Sequence, residues 1–338
     1  MNGAQRGEPT GSHPNEGLST HPTGNHAAYV REAGYVIRDL ADHAPGHALI
    51  VKLLTEWDAG RIRLDEESGE VVIDDDSRGW YWGVLGERAV AGILSYLGPE
   101  YTVLHSVPLG AQGADVDHLV IGPSGVFTIN TKYHPGASIW TAGHGLHVNG
   151  VGKRYLHSSA GEAGRVEAKL SAAAGFAVPV LSVIAFVDAS TFRQTAPNEI
   201  DGVPIEVVPA EQLLTVICGE RQLNDAQVTR IAEVARKSST WQKTLRPSAP
   251  GAHLVREFDA LNEALGPSLN PDYPVRAATP TARRSQRPRT PKPAIQPGAS
   301  SRVAAVILSG CLGLLFLPIA LTLLGWAASA VLGALLPR

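Results

Sequence analysis

The fold of this chain is set by Gly113–Lys132, which reads GADVDHLVIGPSGVFTINTK. Its apolar residues predict two short strands, Val116–Ile121 and Gly125–Thr131, joined by the four-residue turn GPSG. Side chains alternate between the two faces of a strand, so Asn130 and Lys132 are expected on the same face of the second one.

Three polar side chains interrupt this apolar pattern where the two strands converge. Asp117 opens the first strand, and Asn130 and Lys132 lie at the end of the second. Proteins hold Mg²⁺ with one or two carboxylates, beside phosphate oxygens and water. A nearby lysine can orient that water or stabilise charge in the transition state. The pattern therefore indicates a cation site beside a phosphate, and leaves open a hairpin in which Asp117 and Lys132 form a solvated ion pair.

A helix is predicted upstream of the hairpin, at Trp80–Leu97. Its apolar residues recur at the helical period, and Asp74–Ser77 supplies capping residues. Glu87 lies on this helix, either as a solvated residue or as a further carboxylate for the site. Gly83 and Gly86 each weaken a helix by about 1 kcal/mol relative to alanine, so we expect them to permit close packing against a neighbour.

The region Trp80–Ile217 resembles the NERD (nuclease-related) domain of the PD-(D/E)xK, restriction-endonuclease-like superfamily. The motifs that carry the resemblance are Gly83–Glu87, Val116–His118, Val126–Lys132, Gly136, Pro179–Asp188 and Ile205–Val208. The resemblance implies an α/β fold over residues 80–220, with a restriction-endonuclease-like core in which helices flank a central mixed β-sheet.

The resemblance also implies metal-dependent hydrolysis of nucleic-acid phosphodiesters, with Mg²⁺ or Mn²⁺ as cofactor and DNA as the expected substrate. By position, Glu87 and Asp117 would be metal ligands and Lys132 the catalytic lysine. Asn130 would complete the metal shell, but the superfamily has Glu or Asp there. An amide keeps an oxygen ligand and loses a negative charge. The alternative is a catalytically silent domain that acts as a nucleic-acid-binding or membrane-bound interaction module.

Four basic residues form a candidate rim for nucleic acid: Lys153, Arg154, Arg165 and Lys169. Arg165 and Lys169 are one turn apart on a predicted helix, Ala160–Ala174, and share a face that is either a phosphate contact or simply solvated. All 32 acidic but only 21 of the 29 basic residues precede Pro274, so that part has a net charge of −11. Such an acidic body is unusual for a tight nucleic-acid binder, since basic contacts to phosphate supply most of the affinity.

The C-terminal segment Val303–Pro337 carries no charged residue over 35 positions. A helix of roughly 20 apolar residues spans a bilayer, so the segment predicts a transmembrane anchor. One span at Val303–Leu324 is preferred, with a re-entrant hairpin as the alternative. Seven basic and no acidic residues lie between Pro274 and Arg302, which places the preceding domain in the cytoplasm at the cell membrane. This basic linker would bind anionic lipid headgroups or, alternatively, phosphates of nucleic acid.

The rest of the chain divides by composition and periodicity. Two cysteines, Cys218 and Cys311, exclude a disulfide framework. The predicted segments are a disordered N-terminus at Met1–Ala27, an accessory region at 28–79 with helices Tyr29–Ala41 and His47–Trp57, a helical extension at 221–266 with helices Asp225–Thr244 and Ala252–Leu265, and a Pro-rich linker at 267–302.

Overall fold

The computed structural model of the chain describes residues 26–65, 67–68, 70–109, 114–245 and 247–269. All of them belong to the first of two units, Met1–Ala277. The helices are α1 (His26–Ala33), α2 (His47–Asp58), α3 (Asp75–Leu94), α4 (Tyr155–Ala174), α5 (Leu213–Ile217), α6 (Asp225–Arg236), α7 (Ser238–Trp241) and α8 (Gly251–Leu269). The strands are β1 (Arg63–Leu64), β2 (Val71–Val72), β3 (Thr102–Pro108), β4 (Asp115–Gly122), β5 (Gly125–Tyr133), β6 (Ser138–Gly143), β7 (Gly145–Val148), β8 (Val151–Gly152), β9 (Val180–Val187), β10 (Thr191–Ile200) and β11 (Val203–Pro209).

Nine of these strands form one mixed sheet in the order β3-β4-β5-β9-β11-β10-β6-β7-β8. Strands β3, β4 and β5 pair antiparallel, whereas β5, β9 and β11 are parallel. Strand β10 is antiparallel to β11 and parallel to β6, and two further hairpin pairings add β7 and β8. The expectation of an α/β fold with a large central mixed sheet is confirmed.

The hairpin predicted at residues 116–131 is the β4–β5 pair. Gly122 pairs with Gly125, so Pro123 and Ser124 form the turn between them. Strand β5 continues two residues beyond Thr131, because it pairs along its whole length with the parallel strand β9. Beyond Ile129 the end of β5 is paired with β9 alone, because the pairing with β4 stops at His118 and Ile129.

Helices cover both faces of these central strands. On one face, Val90 of α3 packs with Phe127 and Ile129 of β5. On the other face, Val166 of α4 packs with Val126 of β5, and Ile231 of α6 adds to the same cluster. This two-sided burial explains why β5 reads as a continuous apolar run up to its polar end.

Outside the sheet, α2, α3 and α8 share a separate apolar cluster. Ile50, Tyr81 and Phe258 are fully buried in it, one from each helix. Arg88 adds an ion pair from α3 to Asp259 of α8, with 2.6 Å between Nη1 and Oδ1. The accessory region and the C-terminal helix therefore hold α3 from the side opposite to the sheet.

Several predicted boundaries differ from the observed ones. Residues 29–41 are not one helix, because α1 ends at Gly34, whose φ of +55° breaks the helical path. The predicted helix Asp225–Thr244 is interrupted after Arg236, where Ser238 donates its N–H to the Arg38 carbonyl at 2.9 Å. Helix α8 runs to Leu269, into the predicted linker, and α1 begins at His26, inside the predicted disordered N-terminus.

No helix in the described part of the chain is both long and apolar enough to cross a membrane. The predicted transmembrane segment, Val303–Pro337, lies outside the described residues. So do nearly all of the predicted basic linker and the first 25 residues of the N-terminus.

Candidate active site

The polar end of the β4–β5 hairpin brings together the three side chains that the sequence singled out. Lys132 donates its Nζ to Asn130 Oδ1 and also to the Thr131 carbonyl, at 3.1 Å. The Asp117 Oδ2 accepts the Thr131 N–H at 2.6 Å. Lys132 Nζ also lies 5.0 Å from the ring centre of Tyr155 on α4. The hairpin end is thus packed and hydrogen-bonded on several sides.

Glu87 reaches this end of the hairpin from α3. Its side chain is 3% exposed, and its Oε2 accepts the Gly46 N–H at 2.9 Å, so the alternative of a solvated helix residue is wrong. Burial raises the pKa of Glu87 well above its usual value, and the charges of Asp117 and Asp115 raise it further. The nearby Lys132 acts in the opposite direction.

Close approach of α3 to β5 depends on Gly86. A Cβ at this position would lie 2.8 Å from Tyr133 Cβ and 3.3 Å from Thr131 Cγ2, which is closer than packed carbon atoms normally come. The expectation of close packing at Gly86 is confirmed. At Gly83, a Cβ would meet only the mobile end of Leu49, at 2.6 Å.

We expect Gly86→Ala to destabilise the fold by about 1–3 kcal/mol, because the methyl group forces α3 away from β5. Gly92→Ala is the matched control, since Gly92 lies on the same helix with no atom within 4 Å of a built Cβ. That control should stabilise the protein by up to about 1 kcal/mol through helix propensity. Urea unfolding of both variants measures the contrast, and equal effects would contradict the packing argument.

A carboxylate that the sequence reading missed completes the site from α4. Glu162 Oε2 accepts the Asn130 Nδ2–H at 2.7 Å. Burial raises the pKa of Glu162, the Asn130 hydrogen bond lowers it, and the charge of Asp117 raises it. Glu162 therefore supplies a negative charge directly beside the position where the superfamily motif has one and this chain has Asn130.

Asp115 is a second carboxylate that the sequence reading missed. Burial and the charge of Asp117 raise its pKa to about 7, while Lys52 on α2 opposes the shift. For Asp117 burial also raises the pKa, against the opposing effects of Lys132 and the Thr131 N–H. The site therefore holds more carboxyl groups than the neighbouring cations balance, and burial disfavours their ionised forms.

The donor set has the chemistry that a hard divalent cation prefers, namely carboxylate oxygens. Within the described ranges, no three His, Cys, Asp or Glu side chains are grouped so as to hold a metal ion. Glu87, Asp117 and Glu162 each use one oxygen for a protein N–H, and Asn130 Oδ1 accepts from Lys132. These residues fit a cation held by one or two carboxylates with phosphate and water, and not a prebuilt protein cage.

The predicted basic rim is split in two by the structure. Lys153 and Arg154 are exposed at the start of α4. Burial lowers the pKa of His134, and the charges of Lys132 and Lys153 lower it further. Arg165 is exposed one helical turn from Glu162. Lys169 instead donates to the Trp241 carbonyl at 2.8 Å, so it joins α4 to α7.

His118 has the structural role that the alternation along β4 predicts. It is fully buried, and its Nδ1 lies 2.8 Å from His105 Nδ1 on the neighbouring strand. Burial lowers the pKa of both rings, to about 4 for His105 and well below its usual value for His118. Both imidazoles are therefore core residues rather than members of the site.

Comparison with known proteins agrees with this geometry. An uncharacterized protein of Bacillus anthracis is 39% identical over 72 residues, which cover 18% of this chain and 34% of the relative. The chain thus spans about a third of the length of the curated relative it matches. No solved structure matches the chain. Residues 82–187 match the family model of the nuclease-related domain, NERD, and this segment contains Glu87, Asp117, Asn130, Lys132 and Glu162.

Proposed function

We propose that this protein is a metal-dependent nuclease that hydrolyses phosphodiester bonds of nucleic acid, with DNA as substrate. The observation that carries the proposal is the convergence of Lys132 with the carboxylates of Glu87, Asp117 and Glu162 at the end of one hairpin. A half-buried lysine among several partly unbalanced carboxylates has little value for stability. It is suited to holding a cation and a phosphate together.

In this proposal, Asp117 and Glu87 hold Mg²⁺ or Mn²⁺, which when bound polarises the phosphoryl oxygen and lowers the pKa of a water. Lys132 stands at the hairpin end, where its ammonium orients the attacking water and stabilises negative charge on the phosphate. Tyr155 and the Thr131 carbonyl hold that ammonium in place. Lys153 and Arg154 contact flanking phosphates.

Glu162 compensates for the carboxylate that is absent from the motif because position 130 is an asparagine. The amide of Asn130 binds Glu162 through Nδ2 and Lys132 through Oδ1, and so spaces the carboxylate from the ammonium. The charge missing from the strand is then supplied by the helix α4. We infer that Glu162 acts as the third carboxylate and Asn130 as the residue that positions it.

A membrane tether is part of the same proposal. The uncharged C-terminal segment at 303–337 would anchor the chain in the cell membrane, with the nuclease domain in the cytoplasm and the basic linker on anionic headgroups.

The proposed function is tested by plasmid nicking with the full-length chain in Mg²⁺ or Mn²⁺. Wild type should nick the plasmid, EDTA should stop it, and Lys132→Ala should reduce the rate by roughly 1,000-fold because it removes the charge at the phosphate. The control is Lys243→Ala, which removes an exposed lysine outside the site. Equal nicking by Lys132→Ala and wild type would refute the site assignment.

A second candidate is a silent domain that binds nucleic acid without cutting it, or a membrane-bound interaction module. Asn130 favours it, because the strand lacks the acidic residue of the superfamily motif. This candidate predicts intact plasmid under all metal conditions. If the chain then binds oligonucleotides in a salt-dependent way, it is the nucleic-acid-binding module. If it does not bind them, it is the interaction module.

A further inference from the structure

A row of side chains crosses the outer strands of the sheet on an exposed face. Backbone pairing places Arg193 of β10, Trp140 of β6, His147 of β7 and Gly152 of β8 side by side. Directly paired residues project to the same face of a sheet, so these side chains form one continuous strip. We call Arg193, Trp140 and His147 the aromatic strip.

The aromatic strip is uncovered although its central residue is a tryptophan. Trp140 is 38% exposed. On the same strand Ser138 is exposed and Ile139 is buried, as expected when successive side chains of a strand point to opposite faces of the sheet. The rings of Trp140 and His147 meet edge to face, with 5.2 Å between their centres. An exposed indole that its neighbours already hold in place offers a flat binding surface, and little side-chain entropy is lost when a ligand binds to it.

Two glycines keep the strip free of side chains that would cover it. A Cβ on Gly145 would lie 3.4 Å from Cζ3 of Trp140, and one on Gly152 would lie 3.7 Å from Nε2 of His147. Both are ordinary or slightly tight contacts, so a larger side chain at either position would lie against a ring. The Trp140 ring is exposed and so open to a flat ligand, whereas the half-buried His147 ring supports it edge to face.

The chain segments around Arg193 and Trp140 are basic, although Glu199 lies further along β10 and the protein body is acidic. Residues 118–161 contain no acidic side chain but include Lys132, Lys153 and Arg154. Residues 190–198 likewise contain Arg193 and no acidic residue. Against the acidic remainder of the chain, this local positive charge complements a phosphodiester backbone.

The strip is joined directly to the candidate active site. A four-residue turn, residues 134–137, connects the end of β5 at Tyr133 to the start of β6 at Ser138. His134 at the head of this turn has its Nε2 3.1 Å from the hydroxyl of Tyr155, whose ring faces Lys132. Ser138 pairs with Thr191, so β10 begins at the same edge. The strip projects away from the face on which Ile139 packs with α4, whereas Lys132 lies on that face beside Tyr155. A strand of nucleic acid that contacts both would therefore pass around the edge formed by residues 134–137.

We propose that the aromatic strip binds unpaired bases of the nucleic-acid substrate, so that the enzyme acts on single-stranded or frayed segments. This inference rests on the proposed function and names its substrate class. Aromatic rings and arginine stack on any base face, and nearby basic groups follow the backbone. Paired bases of a duplex have no free face to offer, which makes the strip selective for single strands.

Fluorescence anisotropy of labelled 20-nucleotide oligomers tests the inference. The full-length chain is titrated in EDTA with single-stranded oligo-dT and with a duplex of equal length. Trp140→Ala should weaken single-strand binding by roughly 5- to 100-fold and duplex binding much less, because base stacking is lost. Trp140→Phe should retain most of the affinity, since it keeps a ring.

The control is Tyr96→Ala, which removes an aromatic residue that is 82% exposed just beyond α3. It should leave both affinities unchanged. An unchanged single-strand affinity in Trp140→Ala, or an equal loss for single strand and duplex, overturns the inference. If Lys132-dependent nicking persists in that case, the proposed function stands without the strip. A wild-type chain that neither binds oligomers nor nicks plasmid contradicts both.

Discussion

Replacing Glu162 with glutamine should reduce phosphodiester cleavage by roughly 100-fold or more, because it removes the third carboxylate of the site. Glutamine keeps an oxygen that can accept the Asn130 amide hydrogen, which Glu162 Oε2 accepts at 2.7 Å in the native chain. The packing of α4 on β5 is therefore expected to persist. Nicking rates under saturating Mg²⁺ or Mn²⁺ measure the effect.

A double variant separates a chemical role of Glu162 from a structural one. Asn130→Glu combined with Glu162→Gln moves the negative charge from the helix to the strand, where the superfamily motif has it, and should restore at least a tenth of the lost rate. Glu167→Gln is the helix control, since Glu167 lies on the same helix and accepts the Val180 N–H at 3.2 Å. Full activity in Glu162→Gln would show that Glu162 is not part of the site.

The second large effect is on stability. Glu87→Gln should stabilise the metal-free protein by about 1–3 kcal/mol, because a buried carboxylate beside Asp117 and Asp115 is replaced by a neutral amide. The amide oxygen can still accept the Gly46 N–H. For a domain of this size the melting temperature should rise by about 2–4 °C per kcal/mol. Cleavage should be lost in the same variant.

The pH dependence of this stabilisation has a defined sign. The pKa of Glu87 is raised in the folded state, so the folded state loses stability as the pH rises from the ordinary glutamate pKa of the unfolded chain through the raised pKa. The penalty disappears only when the pH falls below the ordinary pKa. The advantage of Glu87→Gln should be largest at alkaline pH and shrink on acidification. Thermal melts in EDTA at several pH values measure it, and a gap that widens on acidification would contradict the charge argument.

Millimolar Mn²⁺ provides a further check on Glu87. A cation that binds the native site stabilises wild type by mass action, and should stabilise Glu87→Gln less. The difference between the melting temperatures of Glu87→Gln and wild type should therefore narrow or change sign when Mn²⁺ replaces EDTA. An identical Mn²⁺ response in both chains would exclude Glu87 as a ligand.

The sequence predicted the central elements because their signals are local. The apolar runs around Asp117 and Lys132, the turn between them and the helical period of α3 appear in the structure within a few residues of the expected bounds. Capping by Asp74, whose carboxylate accepts the Ser77 N–H at 2.7 Å, also followed from the sequence. Each of these features depends on neighbours close in the chain.

The missed features depend on contacts between distant segments. Glu162 is 32 residues from Asn130, and it is one of two acidic residues in the small-residue helix α4, with no sequence signal that sets it apart from Glu167. Strands β6 and β7 are short and contain glycine, and the ten-residue β10 is mostly polar with an internal proline, so their patterns resemble loops. Strand β10 is identified only by its pairing with β6 and β11.

The hydrogen bond from Gly46 to Glu87 indicates how much of the chain is needed to assemble the candidate site. Gly46 has a φ of +75°, and a Cβ there would lie 3.2 Å from Val84, so neither another backbone path nor another residue fits easily. It belongs to the accessory region, well before the segment that matches the family. A protein trimmed to residues 82–187 would leave Glu87 hydrated, with a lower pKa and no fixed direction. The segment that matches the family is therefore smaller than the part of the chain that fixes Glu87 at the candidate site.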